Sequence, residues 1–142
     1  MNTTRIQTNF LKMLMNEQSV YVLKEAIPRM VGITEGHAVY FIPECEFFLD
    51  RTKMKEVDLK SCVEGVNKAL PSERTGIEKK DKMSRDRNLI EIKQGENSIW
   101  LDEMFCKDFG KYADYFGTNP HSPVYVKENG ILVGIVLPVR LP

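Results

Sequence analysis

The stretch "SPVYVKENGILVGIVLPV" (Ser122–Val139) sets Asn129-Gly130 between two apolar runs. Asn-Gly is the dipeptide that tight hairpin turns prefer, because both central residues there need positive φ, so the stretch predicts two paired strands. The second, aliphatic strand packs on a sheet, and Pro138 ends its ladder by removing a donor. Upstream, "LIEIKQGENSIWLD" (Leu89–Asp102) alternates on both sides of a Gln94 to Asn97 turn and predicts another hairpin. Between the two hairpins, Asp102 is a candidate N-cap. Phe105, Phe109, Tyr112, Ala113 and Phe116 then recur at i, i+4, i+7, i+8 and i+11, which predicts an amphipathic helix closed by Gly117.

The N-terminal half repeats the theme. Thr4-Arg5-Ile6-Gln7 has capping-box spacing, and Ile6, Phe10, Met13 and Leu14 keep helical spacing to about Asn16. "SVYVLKEAI" reads as a strand interrupted by Pro28, and "MVGITEGHAVYFI" as two strands about Glu35-Gly36, ended by Pro43. "EFFLD" (Glu46–Asp50) is expected to add a strand. Asp58 to Leu70 carries Leu59, Cys62, Val63, Val66 and Leu70 at helical spacing, with Asp58 as N-cap and Pro71 as stop. Residues from about 72 to 88 are rich in charge and poor in apolar side chains, and are expected to form a loop. One domain over residues 1–142 follows, an α+β fold with an antiparallel sheet and two amphipathic helices packed on one face.

Lys plus Arg and Asp plus Glu both number 20, so no net charge draws the chain to nucleic acid or lipid. The longest nearly uncharged run, Ile131 to Val139, is far short of the ~20 residues that span a bilayer, and a cytoplasmic protein with no membrane contact is expected. Cys45, Cys62 and Cys106 are odd in number and widely spaced; they read as buried thiols.

Motifs for phosphate cradles, zinc pairs and nucleophile elbows are missing, so no catalytic residue, metal ligand or cofactor is assigned and a non-enzymatic role is favoured. His37 and His121 are too far apart in sequence to suggest a metal cluster. Cys106 follows an aromatic and reads as packing, and Trp100, between Ile99 and Leu101, as a core anchor. From Arg74 to Arg87, six basic residues (Arg74, Lys79, Lys80, Lys82, Arg85, Arg87) face three acidic ones, a candidate phosphate contact without interleaved aromatics.

"IVLPVRL" (Ile135–Leu141) resembles the closing strand of bacterial sliding clamps, the rings that hold a replicative polymerase on DNA. "NSIWLDEMFCKDFGKYADYF" and "SPVYVKENGILVGIVLPVRL" resemble, in order, the strand, helix and last strands before that end, so the likeness runs from Leu89 to Pro142. It implies a clamp-like fold without catalysis, acting through protein partners or short peptide motifs in DNA replication, as a phage or mobile-element accessory or decoy. In that family the last strand and tail wall an apolar peptide groove; the matching residues are Leu137, Pro138, Val139, Arg140 and Leu141. A ring would need self-association of about six copies. Lys107 and Lys111 would share the DNA-facing side of the 102–116 helix, but Asp102, Glu103, Asp108 and Asp114 leave it net negative, so DNA contact is expected to be weak or indirect. The rival expectation is a small-ligand-binding protein or enzyme that shares only the sheet.

Overall fold

In the computed structural model, which describes residues 1–81 and 87–141, α1 (Thr3–Met15) is started by Asn2 in place of Thr4. The Asn2 side chain accepts from the Arg5 N–H at 3.0 Å, satisfying one of the donors that a helix start leaves open. Ile6 and Phe10 form the buried stripe, and Asn16 caps the end. Gln7 shares that stripe at 1% exposure. Its Nε2 donates to the carbonyls of Thr3 (3.2 Å) and Glu46 (3.0 Å), while its Oε1 accepts from the Phe48 N–H (2.8 Å).

Strands β1 (Tyr21–Leu23), β2 (Met30–Thr34) and β3 (Ala38–Pro43) follow as the alternation predicts, with Glu35-Gly36 turning between the last two. The strand expected at Glu46–Asp50 is absent. That backbone is bonded to Gln7, and 3-10 turns at Glu44–Glu46 and Arg51–Lys53 bend it. After β4 (Lys55–Val57), the expected 58–70 helix shrinks to α2 (Lys60–Glu64) and a 3-10 turn at Gly65–Lys68. Leu59 holds the N-cap position, though Asp58 still accepts from the Lys60 N–H at 3.0 Å.

The charged 72–88 loop is overturned as well: its described part belongs to β5 (Leu70–Asp81) and β6 (Arg87–Gln94). From Leu70 to Lys80 every residue of β5 but the half-buried Ser72 is exposed, so it shows no alternation, and its pairing with β6 rests on the backbone. The register with β6 shifts between Arg74 and Glu78. The β6–β7 hairpin, with β7 at Asn97–Asp102, forms as expected.

The largest correction concerns residues 102–117. Asp102 does cap a helix, accepting from the Met104 N–H at 2.9 Å, but α3 (Glu103–Cys106) lasts four residues. Gly110 then donates its N–H to Glu128 at 2.5 Å, Tyr112 is 85% exposed, and β8 (Asp114–Gly117) takes the place of the last helical turn. Lys107 and Lys111 therefore do not share a helix face. The chain closes with β9 (Val124–Glu128) and β10 (Ile131–Val136) around Asn129 and Gly130, whose φ values of 52° and 77° are those the turn requires.

Among the described residues, ten strands form one open, mostly antiparallel sheet in the order β4-β1-β2-β3-β10-β9-β8-β5-β6-β7, in which only β4 and β1 run parallel. Neighbouring residues of the central strands β3, β9 and β10 alternate between two cores. Tyr40, Val124 and Val126 join Ile6 and Phe10 of α1 on one face, together with Ile90, Ile92, Ile99 and Leu101. Val39, Phe41, Tyr125 and Ile135 join Val63 of α2 on the other. Of the expected pair of helices on one face, α1 remains and the second is reduced to α3, which adds Cys106 to the same core, while the short α2 lies on the other face. The Phe109 ring, predicted on a helix, fills the α1 face from a loop and lies over Gly134.

Candidate partner-binding groove

The tail residues do not act as one wall. Leu137 donates its N–H to the His37 carbonyl at 2.9 Å, which keeps the chain beside the start of β3 after the β10 ladder ends. Pro138 has no donor, and Val139 donates instead to the Trp100 carbonyl at 2.8 Å, so the chain crosses to the free edge of β7. Leu137 is exposed, Pro138 and Val139 are half-buried, Arg140 is exposed and Leu141 half-buried.

Of these five, Leu137 lines a groove of about 270 Å3 with Ile135, Val39, Tyr21, Val57 and Leu59. Six elements meet there: the starts of β1 and β3, the ends of β2, β4 and β10, and α2. The α2 wall is fixed by Tyr125, whose hydroxyl donates to the Cys62 carbonyl at 2.5 Å. Gly65 permits this closeness, since a Cβ there would overlap the Tyr125 hydroxyl. Apart from Leu137, the sequence signalled none of this lining. Tyr21 and Val57 are brought to one strand pair by the parallel β1–β4 pairing, in which Tyr21 lies opposite Lys55 and Val57 opposite Leu23, a long-range register that no local pattern announces.

The predicted basic cluster is dispersed. Arg74 pairs with Ile92 and Lys79 with Leu89, which alternate to opposite faces of β6. The Arg74 charge reaches Cys106 and Tyr115, whereas the Lys79 ammonium lies 5.8 Å from the Trp100 ring centre. Trp100 is half-buried and on the face opposite Ile99 and Leu101, so it is not the core anchor expected. Lys80 pairs with Asn88, Lys111 lies over Tyr112, and Arg87 and Lys107 line an open depression with His37. Lys82 and Arg85 lie outside the described residues.

His37 is stacked on Phe105 with its Nδ1 2.8 Å from Glu35, while His121 is exposed in the loop before β9. Among the described residues, no three His, Cys, Asp or Glu side chains are grouped to hold a metal, and no helix is long and apolar enough to cross a membrane. Of the three thiols expected inside, Cys45 is exposed, Cys62 half-buried and Cys106 buried.

Burial raises the Cys106 thiol from 9.0 to about 12, which leaves it protonated and unreactive at neutral pH. Desolvation likewise raises the Tyr125 hydroxyl from 10.0 to about 12 and pushes Tyr40 and Tyr115 upward. Each folded value exceeds the unfolded one, so the neutral forms stabilise the fold fully below pH about 9. Stability should fall from there through pH about 12; a melting temperature unchanged between pH 9 and 12 would contradict this burial.

Compared with protein-family models, curated proteins and solved structures, the chain matches none.

Proposed function

We propose that this chain is a non-catalytic interaction module of clamp-like type, and that the Leu137 groove receives a short apolar peptide segment from a partner protein. One observation carries the reading: the strand resembling a clamp's closing strand ends in an apolar concavity, with Ile135 and Leu137 in its wall. A peptide with a bulky aliphatic or aromatic anchor fits such a site, because burying the anchor supplies the affinity and the exposed rim costs little to desolvate. Role and place follow the resemblance: an adaptor or decoy in DNA replication. A DNA-encircling ring is disfavoured, since α1 is long but α3 has four residues, too few to line a channel.

The test is capture of peptides known to bind bacterial sliding clamps. Leu137→Ala should weaken capture by roughly tenfold or more, as truncation of a central apolar contact does. Val139→Ala should leave affinity within about twofold, because Val139 lies at the β7 edge. Equal capture by wild type and Leu137→Ala would overturn the reading.

A further inference from the structure

On the α1 face of the sheet, a separate groove of about 330 Å3 runs between α1 and α3. Its walls are apolar, with Ile6, Phe10, Met13, Met104 and Phe105 among them. Met104 is 57% exposed and Phe105 half-buried, so apolar surface is left open to solvent on both sides of α3. The rim is cationic. Arg5, Asn9 and Lys12 follow one another at i, i+4 and i+7 and so share one side of α1, while Lys107 lines the groove from just beyond α3.

Each acid of the groove has a neighbour within the chain. One Glu35 oxygen accepts from the N–H groups of His37 and Ala38, and the other lies 2.8 Å from His37 Nδ1. Oδ1 of the buried Asp108 lies 3.4 Å from Arg5 Nε, an ion-pair contact without a hydrogen bond. Among the described residues, neither Lys12 nor Lys107 has an acidic partner at ion-pair distance. Two uncompensated ammonium groups therefore stand at the mouth of an apolar slot.

We propose that this groove is a second docking site, for a short acidic peptide segment of a partner protein. One bulky apolar side chain enters against Phe10 and Phe105, and flanking carboxylates pair with Lys12 and Lys107. The volume lies at the low end of the ~300–1,000 Å3 that small-molecule sites occupy and suits a single large side chain. A nucleic acid fits less well, because Glu35 and Asp108 stand among the lysines and a backbone binder needs a continuous cationic track. The site lies on the sheet face opposite the Leu137 groove and does not depend on the function proposed for that groove.

The test is an NMR titration of the full chain with acetyl-Glu-Asp-Phe-Asp-Glu-amide, after resonance assignment. Saturable shifts at the amides of Lys12, Met104 and Phe105 are expected, with affinity falling as salt rises. The double variant Lys12→Gln/Lys107→Gln, whose side chains are exposed and whose folding circular dichroism verifies, should bind roughly tenfold more weakly. Leu137→Ala should bind unchanged. Four results would each overturn the proposal: no shift at those amides with millimolar peptide, equal binding of acetyl-Lys-Lys-Phe-Lys-Lys-amide, shifts centred on Ile135 and Leu137, or phenylacetate binding as tightly as the peptide.

Discussion

Gly134→Ala is expected to lower the unfolding free energy by about 3 kcal/mol, the upper end of the cost of overpacking a core. Gly134 sits where the β10–β9 register steps, between Leu132 and Gly134. A Cβ at this position would overlap Cζ and Cε1 of Phe109 and lie 3.1 Å from the Val39 carbonyl oxygen. The ring has little room to retreat. Phe109 is buried and packed on Tyr40 with centroids 5.5 Å apart, so relief must come from expelling the ring or from moving β10 off β3. Urea unfolding with an unchanged slope should show the loss. Shortening the ring removes the overlap, so Gly134→Ala/Phe109→Leu should lose less than the sum of the single variants. A single-variant loss below about 0.5 kcal/mol, the scale of ordinary surface changes, would mean that Phe109 does not rest on Gly134.

A second large effect is expected at Gln7. Leucine has nearly the same volume, but Gln7→Leu strips the partners from the Glu46 carbonyl and the Phe48 N–H. An unsatisfied buried polar group costs about 1–3 kcal/mol, and these two groups are only partly buried, so about 2–3 kcal/mol in total is the expectation. The loss should be local as well as global. Hydrogen exchange at the Phe48 amide should accelerate before that of Ile33 or Val124, which lie in the sheet core. A leucine variant as stable as wild type, with the Phe48 amide still protected, would show that the Gln7 bonds to this segment contribute nothing.

These two sites mark where the sequence was legible and where it was not. Hairpins read well because their signals are local: Asn129-Gly130 announces its own dihedrals, and the strands around Glu35-Gly36 and Gln94–Asn97 alternate in register with their partners. The aromatic series from Phe105 to Phe116 misled because the spacing of a helix stripe can also arise across unlike elements. Phe105 ends up in a short helix, Phe109 in a loop over Gly134, and Phe116 in a strand. Gly110 was the available warning, since glycine weakens a helix interior, and its N–H is taken by Glu128. β5 was hidden for the opposite reason: a strand with neither face covered has no apolar period to display. At the groove, Leu137 was named in advance, but the wall formed by Tyr21, Val57 and Leu59 depends on long-range pairing.

Strand β10 joins β3 to β9 and thereby connects the N-terminal strands to the rest of the sheet. During synthesis, the β3 edge with its apolar Val39 and Tyr40 must therefore wait, unpaired, until residues 131–136 have left the ribosome. Such contacts between distant parts of a chain make folding slow. For that interval the nascent protein carries an adhesive strand border, the kind of surface that holdase chaperones shield and that crowded polysomes punish with aggregation.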